Sequence, residues 1–181
     1  MLKKEIRSHL LVTLFWLVLV TLLRWRWEGN LILLWLGGLT GTFLIDIDHL
    51  LYVFIYPQEL TSMRVKQLLD QHQFKAALVL LVDTHEERHR LVLHSALFQI
   101  ILLVACFFVL TSTGSLFGAG LVMAMALHLL KDDFGLLLAG RGDWLQQILF
   151  WQFKVKLSPL QLKFFVLLMF LFFFGLNFFL I

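Results

Sequence analysis

Residues Leu31–Tyr56 read LILLWLGGLTGTFLIDIDHLLYVFIY, and Asp46, Asp48 and His49 are the only charged or imidazole side chains among them. A helix rises about 1.5 Å per residue, so this stretch is long enough to cross a hydrocarbon core of roughly 30 Å. Charged and imidazole groups inside such a span are costly unless they are paired, ligated or hydrated. The stretch therefore predicts a membrane helix that carries a functional polar site.

Four further apolar stretches have the length of a membrane helix. The five predicted spans lie near residues 10–27, 31–56, 91–110, 116–138 and 160–181. The chain is 60% hydrophobic and has a mean hydropathy of +0.87, more than a soluble core requires. No internal repeat or Ser/Gly-rich linker divides it. We expect an all-α integral membrane protein with a single domain, residues 1–181, about five transmembrane helices and one or two interfacial helices.

Two segments between the predicted spans are too polar or too short to cross a membrane. Residues 57–90 mix charged side chains with a short apolar run, which leaves a cytoplasmic hairpin, a re-entrant piece and an interfacial helix as alternatives. Within residues 139–159, the stretch Trp144–Lys156 places apolar side chains at helical spacing beside three glutamines. This pattern indicates an amphipathic helix, either in the membrane interface or packed under the bundle.

The distribution of basic residues predicts the orientation of the spans. With a cytoplasmic N-terminus and five crossings, thirteen of the fifteen Lys and Arg residues face the cytoplasm, and only Arg24 and Arg26 lie outside. This asymmetry follows the positive-inside rule and puts the C-terminus outside. The basic N-terminus resembles the start of a signal peptide. However, Arg24–Trp27 stand where a small-residue cleavage site would be needed, so an uncleaved first span is expected.

Composition argues against nucleic-acid binding and against disulfide or thiolate chemistry. The formal net charge is only +3 and the basic residues are spread among loops, which gives nucleic-acid binding little support. Cys106 is the single cysteine, so no internal disulfide and no thiolate pair for a metal is expected. We expect Cys106 to be a packing or lipid-facing residue.

Acidic and imidazole side chains recur at helical spacing in the second and fourth spans. Asp46 and His49 are three residues apart and share a helix face, whereas Asp48 points away from Asp46 by about 160°. Asp48 is therefore expected to orient a ligand or to bind a second metal. In the fourth span, His128 and Asp132 are four residues apart and also share a face.

The third span opens with the sequence ERHRLVLHS, which contains His89, Arg90, His94 and Ser95. On a regular helix, His89 and His94 point about 140° apart, so both can face one site only if His89 precedes the helix. His85 and His89 form an alternative pair if the preceding loop is helical. His9 stands at the cytoplasmic start of the first span.

The predicted topology brings these motifs to one depth near the cytoplasmic side, so we expect them to meet around a divalent metal. The candidate ligands are His9, Asp46, Asp48, His49, His89, His94, His128 and Asp132. Simpler roles remain open for two of them. His9 fits an ordinary interfacial histidine, and Asp132 or its neighbour Asp133 fits a salt bridge with Lys131 or Arg141. His72, in the polar loop, is expected to have no specific role.

These motifs, in this order on successive spans, resemble the YdjM-like family of bacterial inner-membrane proteins, which are predicted membrane-bound metal-dependent hydrolases. The family's Asp-x-Asp-His, His-Arg-x-x-Thr-His-Ser and His-x-x-x-Asp elements appear here as Asp46/Asp48/His49, His89/Arg90/His94/Ser95 and His128/Asp132. Ile45 and Leu93 stand where the family usually has proline and threonine. The resemblance covers roughly Thr42 to Gly135 and implies the bacterial cytoplasmic (inner) membrane. A distant likeness to zinc-dependent phospholipase C implies phosphoester chemistry.

Histidine and carboxylate ligands without a thiolate favour zinc or manganese. Such an ion activates water and polarises a phosphoryl oxygen, so we expect hydrolysis of a lipid or lipid-linked phosphoester at the cytoplasmic leaflet. Arg90 is expected to bind phosphate unless it merely snorkels, Asp48 to assist the reaction, and Ser95 is a weaker candidate nucleophile. Membrane lipids are the expected partners. The alternatives are a metal-ion or proton transporter and an assembly subunit without chemistry.

Overall fold

A computed structural model describes the backbone of residues 2–24, 29–153 and 155–181, and within these ranges the side chains of all residues except 2–5 and 86. Every regular element in the described ranges is a helix. The helices are α1 (Leu2–Arg24), α2 (Leu31–Leu44), α3 (Ile47–Ile55), α4 (Leu60–Asp70), α5 (Phe74–Asp83), α6 (Ala96–Phe108), α7 (Leu116–Leu138), α8 (Gly142–Phe150) and α9 (Pro159–Asn177). A 3₁₀ turn at His85–Glu87 follows α5, and a π-helical turn at Val109–Thr113 extends α6.

Four helical segments are long and apolar enough to cross a membrane. They are Ile6–Arg24, Leu31–Ile55, Ala96–Thr113 and Pro159–Asn177. The described residues thus confirm the predicted all-α class, with four candidate spans where the sequence predicts about five. Residues 25–27 of the first predicted span, and with them Arg26, lie outside the described residues, as does Lys154.

Helices α2 and α7 meet backbone to backbone. A Cβ atom added at Gly41 would lie 2.2 Å from the carbonyl oxygen of Leu121, and one added at Gly120 would lie 2.2 Å from that of Leu34. Any side chain at either position would therefore force the two helices apart. In a membrane, helices associate through van der Waals packing, and small residues allow this close approach.

Helix α7 occupies the centre of the bundle, where it contacts α1, α2, α6, α8 and α9. Two buried hydrogen bonds fix α1 against this core. The hydroxyl groups of Thr13 and Thr42 lie 2.8 Å apart, and the indole N–H of Trp16 donates to Asn177 Oδ1 at 2.7 Å. These contacts set the height of α1 beside α2 and α9, and with it the height of His9, one helical turn before Thr13.

The second predicted span is interrupted at Ile45 and Asp46, between α2 and α3. The N–H of Asp46 donates to Phe43 O at 3.2 Å, and the N–H of His49 donates to Asp46 O at 3.1 Å. Both hydrogen bonds reach back three residues instead of four, so this turn is tighter than an α-helix. The carbonyl of Thr42, which a regular helix would pair with Asp46 N–H, is left available to a group on another helix.

Within residues 57–90, α4 and α5 form a helical hairpin, and its position relative to the membrane stays a prediction. The hairpin packs against α3 through a small buried cluster of Val53, Val65, Ala77 and Leu81. Cys106 is buried in the main core, which matches the packing alternative for that residue.

The first part of the predicted amphipathic segment, residues 144–150, lies in α8, whereas residues 151–153 form a turn and residues 155 and 156 are not helical. Leu145 and Leu149 of α8 are buried against Leu162 and Val166 of α9. Just beyond α8, the indole N–H of Trp151 donates to Leu91 O at 3.1 Å. The apolar face of this helix is therefore packed against the bundle.

The contact between α2 and α7 predicts an asymmetric response to glycine substitution along α7. Gly120→Ala should lower the free energy of unfolding, because overpacking typically costs about 1–3 kcal/mol and the atom in the way is a backbone oxygen. The matched control is Gly135→Ala on the same helix, where an added Cβ meets no atom within 4 Å. The control should be neutral or stabilising by up to about 1 kcal/mol. Thermal unfolding in detergent measures both, and equal midpoints would refute the close approach.

Candidate metal centre

Helices α1 and α7 and the turn between α2 and α3 bring imidazole and carboxylate groups together. The ring nitrogen Nε2 of His128 lies 3.2 Å from Asp132 Oδ2 and 3.6 Å from Asp46 Oδ1. On the other side of the same carboxylate, His9 Nε2 lies 3.1 Å from Asp132 Oδ1. One ligand atom from each of His9, His128 and Asp132 lies within 4.8 Å of the other two. This spacing is compatible with a single ion bound by α1 and α7, with Asp46 at the α2–α3 junction beside it.

The orientation of His128 is set by the interruption between α2 and α3. Its Nδ1–H donates to the carbonyl of Thr42 at 2.7 Å, the group that the tight turn leaves available. The proton of a neutral imidazole is then on Nδ1, so Nε2 presents a lone pair. This Nε2 is buried and has no hydrogen-bond partner among the described residues.

The surroundings of that lone pair are unusual, because its nearest neighbours are also hydrogen-bond acceptors. Asp46 and Asp132 both direct carboxylate oxygens towards His128 Nε2. Three acceptors that face each other repel unless a cation lies between them, either a second proton on the imidazole or a metal ion. The donor set, nitrogen and carboxylate oxygen without sulfur, is one that zinc and manganese accept.

Lys131 supplies one positive charge at the edge of the cluster. Its Nζ lies 2.6 Å from His9 Nε2 and 3.2 Å from Asp132 Oδ1. The salt bridge that the sequence left open for Asp132 is therefore present on the Oδ1 side. The Oδ2 side of the same carboxylate faces His128. The Lys131 ammonium thus offsets part of the charge of Asp132, and none of its contacts among the described residues reaches His128 Nε2.

Asp48 is buried, and its partners differ from those of Asp46. Its Oδ2 accepts hydrogen bonds from the N–H of Leu93 at 2.6 Å and from Nδ1 of His94 at 3.2 Å. The first bond holds the chain just before α6, and the second fixes the imidazole, whose Nε2 then presents a lone pair. The ring centroid of His94 lies 6.2 Å from that of His128. A carboxylate behind a histidine is the usual way to orient a metal ligand.

A buried arginine that sequence analysis did not select contacts His49. Arg88 is only 2% exposed, and its Nε donates to His49 Nδ1 at 3.2 Å. Its Nη1 donates to Thr84 Oγ1 at 3.0 Å, and Nη2 donates to the carbonyl of Leu81. Burial lowers the pKa of Arg88 from its ordinary value, and the negative charge of Glu87 partly opposes this. The guanidinium remains a cation because its ordinary pKa is so high.

The remaining predicted site residues have other contacts. The exposed Arg90 lies over the Tyr56 ring at 5.9 Å, and the ring of His89 lies 6.2 Å from that of Trp144. Ser95 caps α6, because its Oγ accepts from Phe98 N–H at 3.2 Å and donates to Val92 O at 2.7 Å.

Two further histidines from the polar segment serve the local fold. Nδ1–H of His85 donates to Val82 O at 2.8 Å. His72 forms the exposed turn between α4 and α5, at a φ of 57°.

Four contacts in and around this centre were not predicted from the sequence. Neither the Thr42 carbonyl nor the choice of Arg88 over Arg90 has a signal in the sequence, because both depend on how helices are rotated against each other. A signal did exist for the glycine contact, since Gly37 and Gly41 form a GxxxG pattern in an apolar helix. The buried hydrogen bond from Gln99 Nε2 to Asp133 Oδ2, 2.9 Å long, likewise joins α6 to α7.

Asp48 should matter for stability as well as for any metal. Asp48→Ala leaves the N–H of Leu93 and Nδ1 of His94 without an acceptor, which should cost about 1–3 kcal/mol of unfolding free energy. Asp48→Asn keeps one acceptor oxygen and should cost less. Thermal unfolding in detergent, together with hydrogen exchange at the Leu93 amide, measures the difference. Slow exchange at that amide in Asp48→Ala would contradict the assigned hydrogen bond.

Comparison with protein-family models, curated proteins and solved structures finds no match for this chain. The resemblance to the YdjM-like family therefore rests on the three sequence motifs alone. What the chain does has to be argued from the geometry of its own residues.

Proposed function

We propose that the protein binds a divalent metal ion, zinc or manganese, through His9, His128 and Asp132, with Asp46 as a fourth ligand. The observation that carries this proposal is the buried Nε2 of His128. Its tautomer is fixed by the Thr42 carbonyl, and it faces two carboxylates without a hydrogen-bond partner. A divalent cation satisfies all three acceptors at once.

The charges of the site favour an anionic substrate once the ion is bound. With both carboxylates ionised, Asp46, Asp132 and Lys131 together carry one negative charge, which a divalent ion converts to one positive charge. A phosphoester oxygen complements that charge, so we propose hydrolysis of a phosphoester on a lipid or amphiphile. The ion would supply Lewis acidity and an activated water. Of the chain's own residues, His9, His128 and Asp132 would hold the ion, and Asp48 would orient His94 towards it.

We further propose that α7 is the fifth membrane span, which gives a cytoplasmic N-terminus and an external C-terminus in a bacterial inner membrane. Its 23 residues are long enough to cross. Lys131, Asp132 and Asp133 lie towards one end of the helix; Asp133 is buried, and the side chains of Lys131 and Asp132 are 26% and 30% exposed. Under this topology the cluster lies at the level of the cytoplasmic headgroups, where a lipid phosphoester is found.

The hairpin supports a position at the membrane surface. Phe74, Leu78 and Val79 on α5 are half exposed or more, although α5 is too short to span a bilayer. Helix α5 also contacts α1. Its apolar side chains therefore fit the interface beside the cytoplasmic end of α1.

A metal-ion or proton transporter is the second candidate, and one observation favours it. Four imidazole rings follow each other in a row. Ring centroids are 5.5 Å apart between His49 and His94, 6.2 Å between His94 and His128, and 3.9 Å between His128 and His9. Rows of imidazoles are used in membrane proteins to relay protons.

The proposed topology predicts the behaviour of reporters fused to the chain. A reporter active only outside the cytoplasm, fused after Ile181, should be active. The same reporter inserted at the exposed turn of His72 should be silent, because that turn lies on the cytoplasmic side. Activity at His72, or a silent C-terminal fusion that is nevertheless expressed, would contradict five crossings from a cytoplasmic start.

The metal proposal predicts which substitutions remove the ion. In detergent-purified protein, elemental analysis should find zinc or manganese in the wild type. His128→Gln and Asp132→Asn each remove a ligand and should weaken metal affinity by at least about 10 to 100-fold, the loss typical of orienting groups alone. The matched control is His72→Gln, which changes an exposed histidine in the turn between α4 and α5. If His128→Gln remains monodisperse and binds the ion as tightly as wild type, the assigned centre is wrong.

The hydrolase proposal predicts a chelator-sensitive activity on phospholipids, lipid phosphates or generic phosphodiesters. Asp48→Ala should reduce metal affinity and turnover together, because it releases His94 from its orienting carboxylate. His72→Gln should retain full activity. A metal-loaded, folded wild type that cleaves none of these compounds would favour the transporter, and metal-dependent ion flux in proteoliposomes would then identify it.

A further inference from the structure

We propose that His49 is not a metal ligand but a hydrogen-bond donor, which binds a phosphoryl oxygen of the substrate beside the metal centre through Nε2–H, and that Arg88 fixes it in this role. The proposal rests on the proposed function for the identity of the anion. Its structural half, the tautomer of His49, stands on the contacts of Arg88 alone.

The first step is the contact between Arg88 and His49. Arg88 Nε donates to His49 Nδ1 at 3.2 Å. A guanidinium carries only donors and remains protonated, so Nδ1 must be the acceptor, and the proton of a neutral imidazole must be on Nε2. Thr84 Oγ1 and the carbonyl of Leu81 hold the rest of the guanidinium in place. The arrangement is therefore imposed by a buried group that has no freedom to reverse its polarity.

His49 differs from His128, His94 and His9 in which ring nitrogen carries the proton. Nδ1–H donates to the Thr42 carbonyl in His128 and to the Asp48 carboxylate in His94, so each presents a lone pair at Nε2. In His9 the Nε2 lone pair accepts from Lys131 at 2.6 Å, so a metal ion bound there would displace the ammonium. A metal ion requires lone pairs, whereas an anionic oxygen requires N–H groups. His49 alone among these four rings offers an N–H at Nε2.

The charge of Arg88 and the position of His49 also favour an anion at Nε2–H. The side chain of Arg88 lies within 4.0 Å of no carboxylate among the residues whose side chains are described. Its positive charge behind His49 therefore strengthens a hydrogen bond from Nε2–H to an anion. The ring of His49 lies 5.5 Å from that of His94, which in turn neighbours His128. If a phosphoryl group bound at the metal extends to the ring of His49, Nε2–H can donate to one of its oxygens and stabilise its charge.

Nitrogen-15 NMR of histidine-labelled protein in detergent tests the tautomer directly. The signals of His49 are assigned from their absence in His49→Gln. Wild type should show Nε2 protonated and Nδ1 unprotonated, and Arg88→Met should shift the population towards the other tautomer. A purely structural role for Arg88 would leave these shifts unchanged. A wild-type ring with Nδ1 protonated overturns the proposal without any need for Arg88→Met to fold.

Zinc and inorganic phosphate test the role of the donor. Zinc stoichiometry should be the same in wild type, His49→Gln and His49→Phe, and should fall in His128→Gln. Phosphate binding to the zinc-loaded protein should weaken about tenfold in His49→Phe, the loss expected for one hydrogen bond to a charged group. It should weaken less in His49→Gln, whose amide N–H can replace Nε2–H. Loss of zinc in both His49 variants would make His49 a ligand and overturn the proposal.

Failure of this proposal and failure of the hydrolase proposal are distinguishable. If phosphate binds and shifts the His49 Nε2 signal but no phosphoester is cleaved, the anion subsite holds and the hydrolase proposal fails. If phosphoesters are cleaved with equal efficiency by His49→Phe and wild type, the hydrolase proposal holds and the subsite is refuted.

Discussion

The backbone contact between α2 and α7 is the constraint on which the rest of the structure depends. Glycines at positions 41 and 120 bring carbonyl groups of the opposite helix to where a Cβ would otherwise be. In a bilayer there is no hydrophobic force between helices, so this close packing is what selects one rotation and one register for the pair. Register then determines that His128 of α7 faces Thr42 of α2.

The tight turn at Ile45–Asp46 determines which polar groups of this helix pair face the cluster. In lipid, every backbone carbonyl needs a partner, and a regular α-helix would satisfy Thr42 internally. Because Asp46 N–H bonds instead to Phe43, Thr42 accepts from His128 and fixes the direction of its lone pair. The same turn separates Asp46 from Asp48, so one carboxylate faces the cluster while the other anchors Leu93 and His94. This one-turn interruption of the helix thus leaves the Thr42 carbonyl free to orient His128 and gives Asp46 and Asp48 different partners.

Histidines in this cluster are distinguished by the groups behind them. In His128 and His94, a carbonyl or a carboxylate accepts from Nδ1–H, so Nε2 carries the free lone pair. In His49, the guanidinium of Arg88 donates to Nδ1, so Nε2 carries the proton and is a donor. Lys131 adds a fixed positive charge on the side of His9. Since each partner comes from a different helix or loop, the protonation pattern of the centre is a property of the assembled bundle. This pattern is what would distinguish the proposed metal and anion site from a simple network of salt bridges.

The sequence by itself determined those features that follow from local helix geometry. Hydropathy over windows of membrane length predicted an all-helical membrane protein, and periodicity predicted that His128 and Asp132 share a face and that Asp48 points away from Asp46. The sequence did not determine which arginine is buried, because Arg88 and Arg90 have similar neighbours in the sequence. Which of the two side chains is buried depends on the path of the chain after α5. Nor did the sequence predict that Ser95 caps α6, or that the carbonyl of Thr42 orients His128. The Ser95 cap joins residues three apart, whereas the hydrogen bond of His128 to Thr42 joins residues 86 apart. That long-range contact depends on the rotation and separation of packed helices, which the glycine contacts fix only when the whole bundle is formed.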